Sequence, residues 1–319
     1  MELRRVESYM WFWVSYYRTR SLGVAAEGLP DQYADGKAAR VWELYIGSKQ
    51  ARTSQYQQWF CNLLRERNCQ KVLDVACGTG VDSIMLLEGG FDVVSTDASD
   101  KMLKYALKER WSRRKEAAFD KWVIEEANWL SLADDLLDLG ETPSEGFDAV
   151  ICLGNSFAHL PDFEGELRNQ KLAIKNFKDM LKPGGILVID HRNYDEILKS
   201  GNVPAKNVYY NSSFITDMKV SNLYVNGRPT LTTLDYVMDI SEVDKMDDQD
   251  ISKWNRIAPQ DVGVHKFRLS YYPHQVTEFS KMMKEIFGEE AKHTIYGDFK
   301  RYGEVQAPAY YIHIIEKKD

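Results

Sequence analysis

The run Lys71-Val72-Leu73-Asp74-Val75-Ala76-Cys77-Gly78-Thr79-Gly80 constrains this chain more than any other stretch. Val72, Leu73, Val75 and Ala76 form a short apolar segment that stops at glycines, which fits a strand buried on both faces. Gly78 and Gly80 allow a sharp turn with no Cβ in the way. Val81 to Leu87 then carries apolar residues at helical spacing. Strand, glycine turn and helix make the first half of a nucleotide-type βαβ unit. The turn departs from the dinucleotide pattern, because Val81, Asp82 and then Ser83 follow with no third glycine, and it lacks the Lys-Ser/Thr of a phosphate loop. What remains is a ligand with a nucleoside but no pyrophosphate.

Around this turn the strand ends carry polar residues. Phe91–Asp97 reads as a second strand ending in a carboxylate, and Asp97 lies 17 residues past Gly80. In a parallel sheet it faces the same crevice, where a carboxylate can accept both hydrogens of a ribose diol. The competing reading, a helix N-cap, is filled better by Ser99 or Asp100. A helix from about Lys101 to Arg114 leads to a third short strand, Trp122–Ile124, and then to Asn128-Trp129. An amide and a flat ring suit an adenine there; a tryptophan filling the core beside a turn asparagine is the alternative. A fourth strand, Phe147–Leu153, runs into Gly154-Asn155-Ser156-Phe157-Ala158-His159-Leu160. His159 reads either as a proton acceptor or as a structural histidine. After a helix ending at Leu181-Lys182-Pro183-Gly184-Gly185, the strand Ile186–Asp190 carries Arg192 at its tip. An arginine there can clamp a carboxylate bidentately, or pair with a neighbouring acid.

From Tyr194 to about Ser270 the pattern changes to alternation, with Asn226-Gly227 as a hairpin signal. This predicts an antiparallel layer over the rim, dense in tyrosine (Tyr209, Tyr210, Tyr236, Tyr271, Tyr272) and interrupted by an acidic, loop-like insertion at about 240–263. A helix near Thr277–Phe287 and a strand at Tyr310–Ile315 complete an α/β sheet. Residues 1–48 have no strong period and read as an aromatic arm with Tyr33, Trp42 and Tyr45, before an amphipathic helix from about Arg52. The units expected are therefore an arm over 1–48, a core over 49–193 and 271–319, and a covering layer over 194–270.

Composition excludes several classes. A net charge of −7 disfavours a duplex nucleic acid, and Arg113-Arg114-Lys115 reads as a solvated helix face. The Asn/Asp-Pro-Pro-aromatic run of nucleic-acid amino-methyltransferases is missing after the fourth strand. Cys61, Cys69, Cys77 and Cys152 show neither CxxC pairing nor metal spacing, which fits reduced thiols in the cytosol and no metal. No window approaches the roughly 18 apolar residues of a membrane span. Tyr9–Tyr17 after Arg4-Arg5 lacks a small-residue cleavage site, so the expectation is a cytoplasmic protein.

These residues resemble a known family. Asp74 to Gly80, Asp97, Asn128-Trp129 and Leu181–Gly185 look like class I S-adenosylmethionine-dependent methyltransferases, whose Rossmann-like fold implies a mostly parallel seven-stranded sheet with helices on both faces. Tyr17–Gly23 through Asp35, Cys152–Leu160, Asp190–Asp195 and Phe267–His274 resemble the glycine N-methyltransferase family within that class. The resemblance implies that Ala76, Asp97, Asn128, Trp129, Leu153 and Ser156 hold S-adenosylmethionine, with Tyr33, Trp42, Tyr45 and Arg52 closing over it and Arg192 and Tyr236 reaching it. It implies that Gly154, Asn155, His159, Arg192, Tyr33, Tyr210, Tyr236 and Tyr271 surround glycine. Sarcosine would be the product, and the activity would regulate the ratio of S-adenosylmethionine to S-adenosylhomocysteine. It further implies a homotetramer, with Glu27 at a neighbour's site entrance, and inhibition by 5-methyltetrahydrofolate near Ser15, Tyr17 and Arg268. Thr230 departs from the family, which has a folate-contacting histidine there; the first fourteen residues and the acidic insertion also lie outside its pattern. Two other readings compete: a methyltransferase for sarcosine or dimethylglycine, and a non-catalytic folate-binding homologue.

Overall fold

The computed structural model describes residues 53–137, 143–162, 164–204, 209, 215–239 and 263–318. The arm over 1–48, Arg52, Tyr210 and the acidic insertion up to residue 262 lie outside the described residues.

Helix α1 (Ser54–Glu66) starts at Thr53, whose side chain accepts the Tyr56 N–H at 3.2 Å. Strand β1 (Lys71–Asp74) follows, then α2 (Val81–Glu88), β2 (Asp92–Asp97), α3 (Asp100–Ser112), α4 (Ala117–Asp120), β3 (Val123–Glu126), α5 (Leu132–Leu137) and β4 (Phe147–Cys152). A short 3₁₀ turn (Ser156–His159), α6 (Arg168–Asp179), β5 (Leu181–Arg192) and α7 (Tyr194–Ser200) complete the first half. Beyond these come β6 (Ile215–Val225), β7 (Arg228–Asp239), β8 (Val264–Tyr271), α8 (Val276–Phe287), β9 (His293–Gly297), β10 (Lys300–Arg301) and β11 (Tyr310–Glu316).

The main sheet has the order β10-β9-β11-β5-β4-β1-β2-β3. Its five strands from β5 to β3 are parallel, and β11 runs antiparallel between β5 and β9. From β1 the chain winds outward through β2 and β3, then returns to β4 on the other side. The carboxyl ends of β1 and β4 therefore flank the switch point where α/β sheets open a ligand crevice. The seven-stranded expectation holds for the body of the sheet. The eighth strand is the two-residue β10, turned back onto β9 through Asp298 and Phe299, both with positive φ (47° and 69°).

Burial alternates along the strands, as two-sided coverage requires. Val72, Ile151, Val188 and Ile312 pack on one face, Leu73, Val150, Leu187 and Ile315 on the other. The separate antiparallel sheet β6-β7-β8 turns between its first two strands at Asn226-Gly227, where both φ values are positive (51° and 75°), as the hairpin signal predicts.

The glycine turn is fixed by its surroundings. Trp122 Nε1–H donates to Ser95 Oγ at 2.7 Å, Ser95 to Ser83 Oγ at 2.8 Å, and Ser83 to Asp74 Oδ2 at 2.7 Å, all buried. This chain ties β1, α2 and β2 to the indole that packs under the turn. A Cβ on Gly80 would sit 2.8 Å from that indole, at a φ of +89°. Gly80→Ala is therefore expected to lower unfolding free energy by about 1–2 kcal/mol, read as a lower urea midpoint with an unchanged slope. A wild-type midpoint would contradict the packing argument.

Candidate active site

Five strand ends, those of β1 to β5, converge on the crevice edge. At β2, Asp97 is half-buried, and each carboxylate oxygen accepts one backbone N–H: Gly78 to Oδ2 and Ser99 to Oδ1, both at 2.9 Å. Ser99 itself caps α3, accepting the Met102 N–H, so Asp97 is not spent as a helix cap. A carboxylate offers about four lone-pair sites, which leaves Asp97 with acceptor capacity toward the rim. Burial pushes its carboxyl up to about 6, against the hydrogen bonds that favour the charge. Asp74, one strand over, differs: it is 2% exposed, tied to Ser83 and the Ala76 N–H, and burial pushes it up to about 7.

At β3, Asn128-Trp129 makes the contacts of a turn asparagine and a packed indole. The Asn128 side-chain oxygen accepts the Leu130 N–H at 3.0 Å, a local turn, while its backbone N–H donates to Asp135. Trp129 Nε1–H donates to the Val75 carbonyl at 2.6 Å, and its ring stacks on Phe157 at 5.7 Å. The indole thus braces the β1 end, and it stays half-buried beside the glycine turn.

Between β4 and β5 the residues interlock. Gly154 and Asn155 take positive φ (77° and 64°), and their N–H groups donate to the two oxygens of Asp190 at 3.0 and 2.6 Å. In return, Asn155 Oδ1 accepts the Arg192 backbone N–H at 2.9 Å, and its Nδ2 lies 2.9 Å from Tyr194 Oη. Asn155, expected to face glycine directly, is 2% exposed with its amide turned inward, so it braces Arg192 instead. Leu153 is buried, and Ser156 Oγ–H donates to the Leu153 carbonyl at 2.8 Å.

Arg192 is the centre of this half. It is 8% exposed, its Nη2–H donates to Tyr236 Oη at 3.2 Å, and its guanidinium lies 5.1 Å from the Tyr310 ring centroid. Its Nε is buried with no hydrogen-bond partner, and among the described residues no carboxylate pairs with it. Burial opposes the charge, yet the phenols of Tyr236, Tyr310, Tyr271 and Tyr194 hold its proton, so the group stays charged. A buried guanidinium without an anion is costly unless a ligand supplies one. Tyr236 Oη lies 3.3 Å from Tyr271 Oη, extending the phenol wall. His159 packs against Tyr271 with ring centroids 4.6 Å apart; burial lowers its pKa to about 4, with the Arg192 charge adding to the effect.

The structure therefore brings together Gly154, His159, Arg192, Tyr236 and Tyr271, and lines Ala76, Asp97, Asn128, Trp129, Leu153 and Ser156 along the same edge. Ser15, Tyr17, Glu27, Tyr33, Trp42, Tyr45, Arg52 and Tyr210 lie outside the described residues. Thr230 and Arg268 do not meet within this chain. Arg268 forms an exposed pair with Asp235, and Thr230 sits in a bulge five residues away along β7, about 17 Å. Asp190, Tyr194 and Tyr310 have no role in the sequence reading; an acid two residues before the rim arginine is the signal for the first. Among the described residues no group could hold a metal, and no helix is long and apolar enough to cross a membrane.

Comparisons with known proteins follow the same line. A family model described as a methyltransferase domain matches residues 67–260. Glycine N-methyltransferase from Rattus norvegicus is 56% identical, covering 95% of this chain and 98% of its own length. The Homo sapiens glycine N-methyltransferase is also 56% identical, over 96% and 99%. A glycine/sarcosine N-methyltransferase from Parasynechococcus marenigrum (strain WH8102) is 33% identical, over 84% and 79%. Among solved structures, an S-adenosylmethionine-dependent methyltransferase from Clostridium acetobutylicum aligns with TM-score 0.59 at 13% identity, over 90% of this chain and all of that one. That last likeness concerns the fold alone.

Proposed function

The chain belongs to the glycine N-methyltransferase family, and on that premise we propose that it methylates the amino group of glycine with S-adenosylmethionine, giving sarcosine and S-adenosylhomocysteine. The observation that carries this reading is Arg192, a buried cation at the rim that no carboxylate among the described residues pairs with.

The rim fits the methyl donor: an acidic group with spare acceptor capacity, a turn whose Gly78 and Gly80 take positive φ, and an amide beside an indole. S-Adenosylmethionine supplies a methyl group activated by positive sulfur. Asp97 would accept the ribose hydroxyls, the Ala76 turn would allow close backbone approach, and Asn128, Trp129, Leu153 and Ser156 would bound the adenine. Tyr33, Trp42, Tyr45 and Arg52 would close the site, with the arm over 1–48 as a lid. The core would span 49–193 and 271–319, and 194–270 would cover the substrate.

Arg192 fixes the substrate carboxylate and so aims the amine; Asn155 acts by holding Arg192. The Gly154 carbonyl and His159 accept the amine hydrogens, and His159, with its pKa near 4, is neutral and able to accept at pH 7. Tyr33, Tyr210, Tyr236 and Tyr271 exclude water and present ring faces and hydroxyls that suit a cation. Positioning of this kind supplies effective molarities of roughly 10⁵–10⁸ M at best. The assembly we favour is a homotetramer in the cytoplasm, with Glu27 entering a neighbouring site and 5-methyltetrahydrofolate inhibiting from a pocket near Ser15, Tyr17, Thr230 and Arg268.

The direct test is incubation of the full chain with S-adenosylmethionine and glycine, sarcosine or dimethylglycine in parallel, with products read by mass spectrometry. Sarcosine from glycine supports the assignment; methyl transfer to sarcosine or dimethylglycine alone would move it to another small amine, and no single-turnover transfer would leave a binding protein. Because the attacking amine is neutral and His159 is too weak a base to take its proton, kcat/KM for glycine is expected to climb from about pH 6 to about pH 9. A flat profile would contradict this.

A further inference from the structure

Behind Arg192, on the opposite face of the sheet, three histidines from three adjacent strands form a hydrogen-bonded chain. His191 is on β5, His313 on β11 and His293 on β9. In register, His191 faces Tyr311, His313 lies between Ile189 and Ile295, and His293 faces Ile315, so the three rings run diagonally across one face. His191 Nδ1 lies 2.8 Å from the Arg192 carbonyl oxygen, His191 Nε2 lies 3.0 Å from His313 Nε2, and His313 Nδ1 lies 3.0 Å from His293 Nε2. The rings are 5.1 and 5.2 Å apart, and Phe279 of α8 covers both His191 (4.9 Å) and His313 (4.8 Å). His191 and His313 are fully buried; His293 is half-buried at the outer end.

Burial holds all three imidazoles neutral at pH 7: His191 and His293 fall to about 4, and His313 well below its usual value. A neutral imidazole has one donor and one acceptor, and that single fact determines every proton in the chain. The Arg192 carbonyl can only accept, so His191 carries its hydrogen on Nδ1 and leaves Nε2 bare. His313 then donates from Nε2 and accepts at Nδ1, and His293 donates from Nε2. A buried polar network is tolerated when every member is satisfied, and here only one set of tautomers satisfies it.

The position explains the need. The β4–β5 ladder ends at the pair Cys152–Ile189, so Arg192 projects three residues beyond its last rung on that side. Side chains take over from the missing strand: Asn155 Oδ1 holds the Arg192 N–H, and His191 holds its carbonyl. We propose that His313, acting with His191 and His293, is a positioning residue for the transfer reaction, locking the backbone of Arg192 so that its guanidinium meets the substrate carboxylate in one orientation. The inference rests on the assignment of Arg192 to that carboxylate.

Two measurements test it. In the full-length protein labelled with ¹⁵N-histidine, spectra at pH 7 are expected to show His191 protonated on Nδ1 and His313 and His293 on Nε2. A His191 protonated on Nε2, or charged, overturns the chain without any reference to catalysis. In steady-state kinetics, His313→Leu removes both contacts, whereas His313→Gln keeps an amide donor toward His191 and a carbonyl acceptor toward His293. The leucine variant is expected to raise glycine KM about tenfold, with S-adenosylmethionine Kd within about twofold, and the glutamine variant to recover most of that loss. Wild-type glycine KM in the leucine variant, or equal impairment in both, refutes the role of His313 while leaving Arg192 untouched. If Arg192→Lys itself left glycine KM unchanged, the substrate assignment would fail and the chain would have nothing to aim.

Discussion

Arg192→Lys is expected to lower kcat/KM for glycine by about a hundredfold or more, while S-adenosylmethionine affinity stays within about threefold. The guanidinium is buried, donates to Tyr236 and lies over Tyr310, so its plane is already set. Lysine offers a point charge on a flexible stem, cannot make the forked contact to a carboxylate, and loses its proton more readily when buried. Truncating one side of a desolvated charge contact costs roughly 2–5 kcal/mol, which is tens to thousands of fold in rate. The loss should appear mainly in glycine KM, because Ala76, Asp97, Asn128, Trp129, Leu153 and Ser156, the bulk of the residues assigned to the methyl donor, sit at other strand ends. Sarcosine formation measured across glycine concentrations, with calorimetry for the cofactor, separates the two. Sarcosine kinetics like those of wild type would remove Arg192 from the site.

What could be read in advance follows the range of the forces involved. The glycine turn, the hairpin at Asn226-Gly227 and the polar strand ends are local: a few adjacent residues determine backbone shape, and the parallel sheet puts their tips on one edge. Ser99 as the cap of α3 was legible for the same reason. The β9–β10 turn was not, because Asp298-Phe299 takes positive φ without the Asn-Gly or Asp-Gly that normally signals it. Asn155 was placed correctly at the β4 end, but its amide turns toward Arg192, and that choice depends on a strand some 37 residues later. The histidine chain is the extreme case. His191, His293 and His313 carry no spacing that links them, and only the register of β5, β11 and β9 brings their rings together. The roles of the site residues are implied by resemblance to the glycine N-methyltransferases and by no local pattern, whereas the bracing of Arg192 by Asn155 is a matter of packing.

Asp97→Ala is expected to weaken S-adenosylmethionine binding by about tenfold to a hundredfold, since hydrogen bonds to a charged group are each worth about 1.5–3 kcal/mol. The pH dependence supplies an independent check. Burial raises the Asp97 carboxyl to about 6, so the acid form gains population in the free protein as pH falls through that value. Ribose hydroxyls donate best to the ionised form; binding therefore lowers the pKa and releases protons below about pH 6. Affinity in the wild type should decline as pH falls from about 7 to about 5, and calorimetry in buffers of different ionisation enthalpy should register the released protons. Asp74, pushed up to about 7, titrates in the same region, but its oxygens are held by Ser83 and the Ala76 N–H at 2% exposure. The proton release should consequently vanish in Asp97→Ala. Because Asp97 also holds the Gly78 and Ser99 N–H groups, Asp97→Asn serves as the second variant: it keeps an acceptor for the turn and removes the charge. If binding by Asp97→Asn kept the wild-type pH profile, the ribose contact would have to be sought on another strand end.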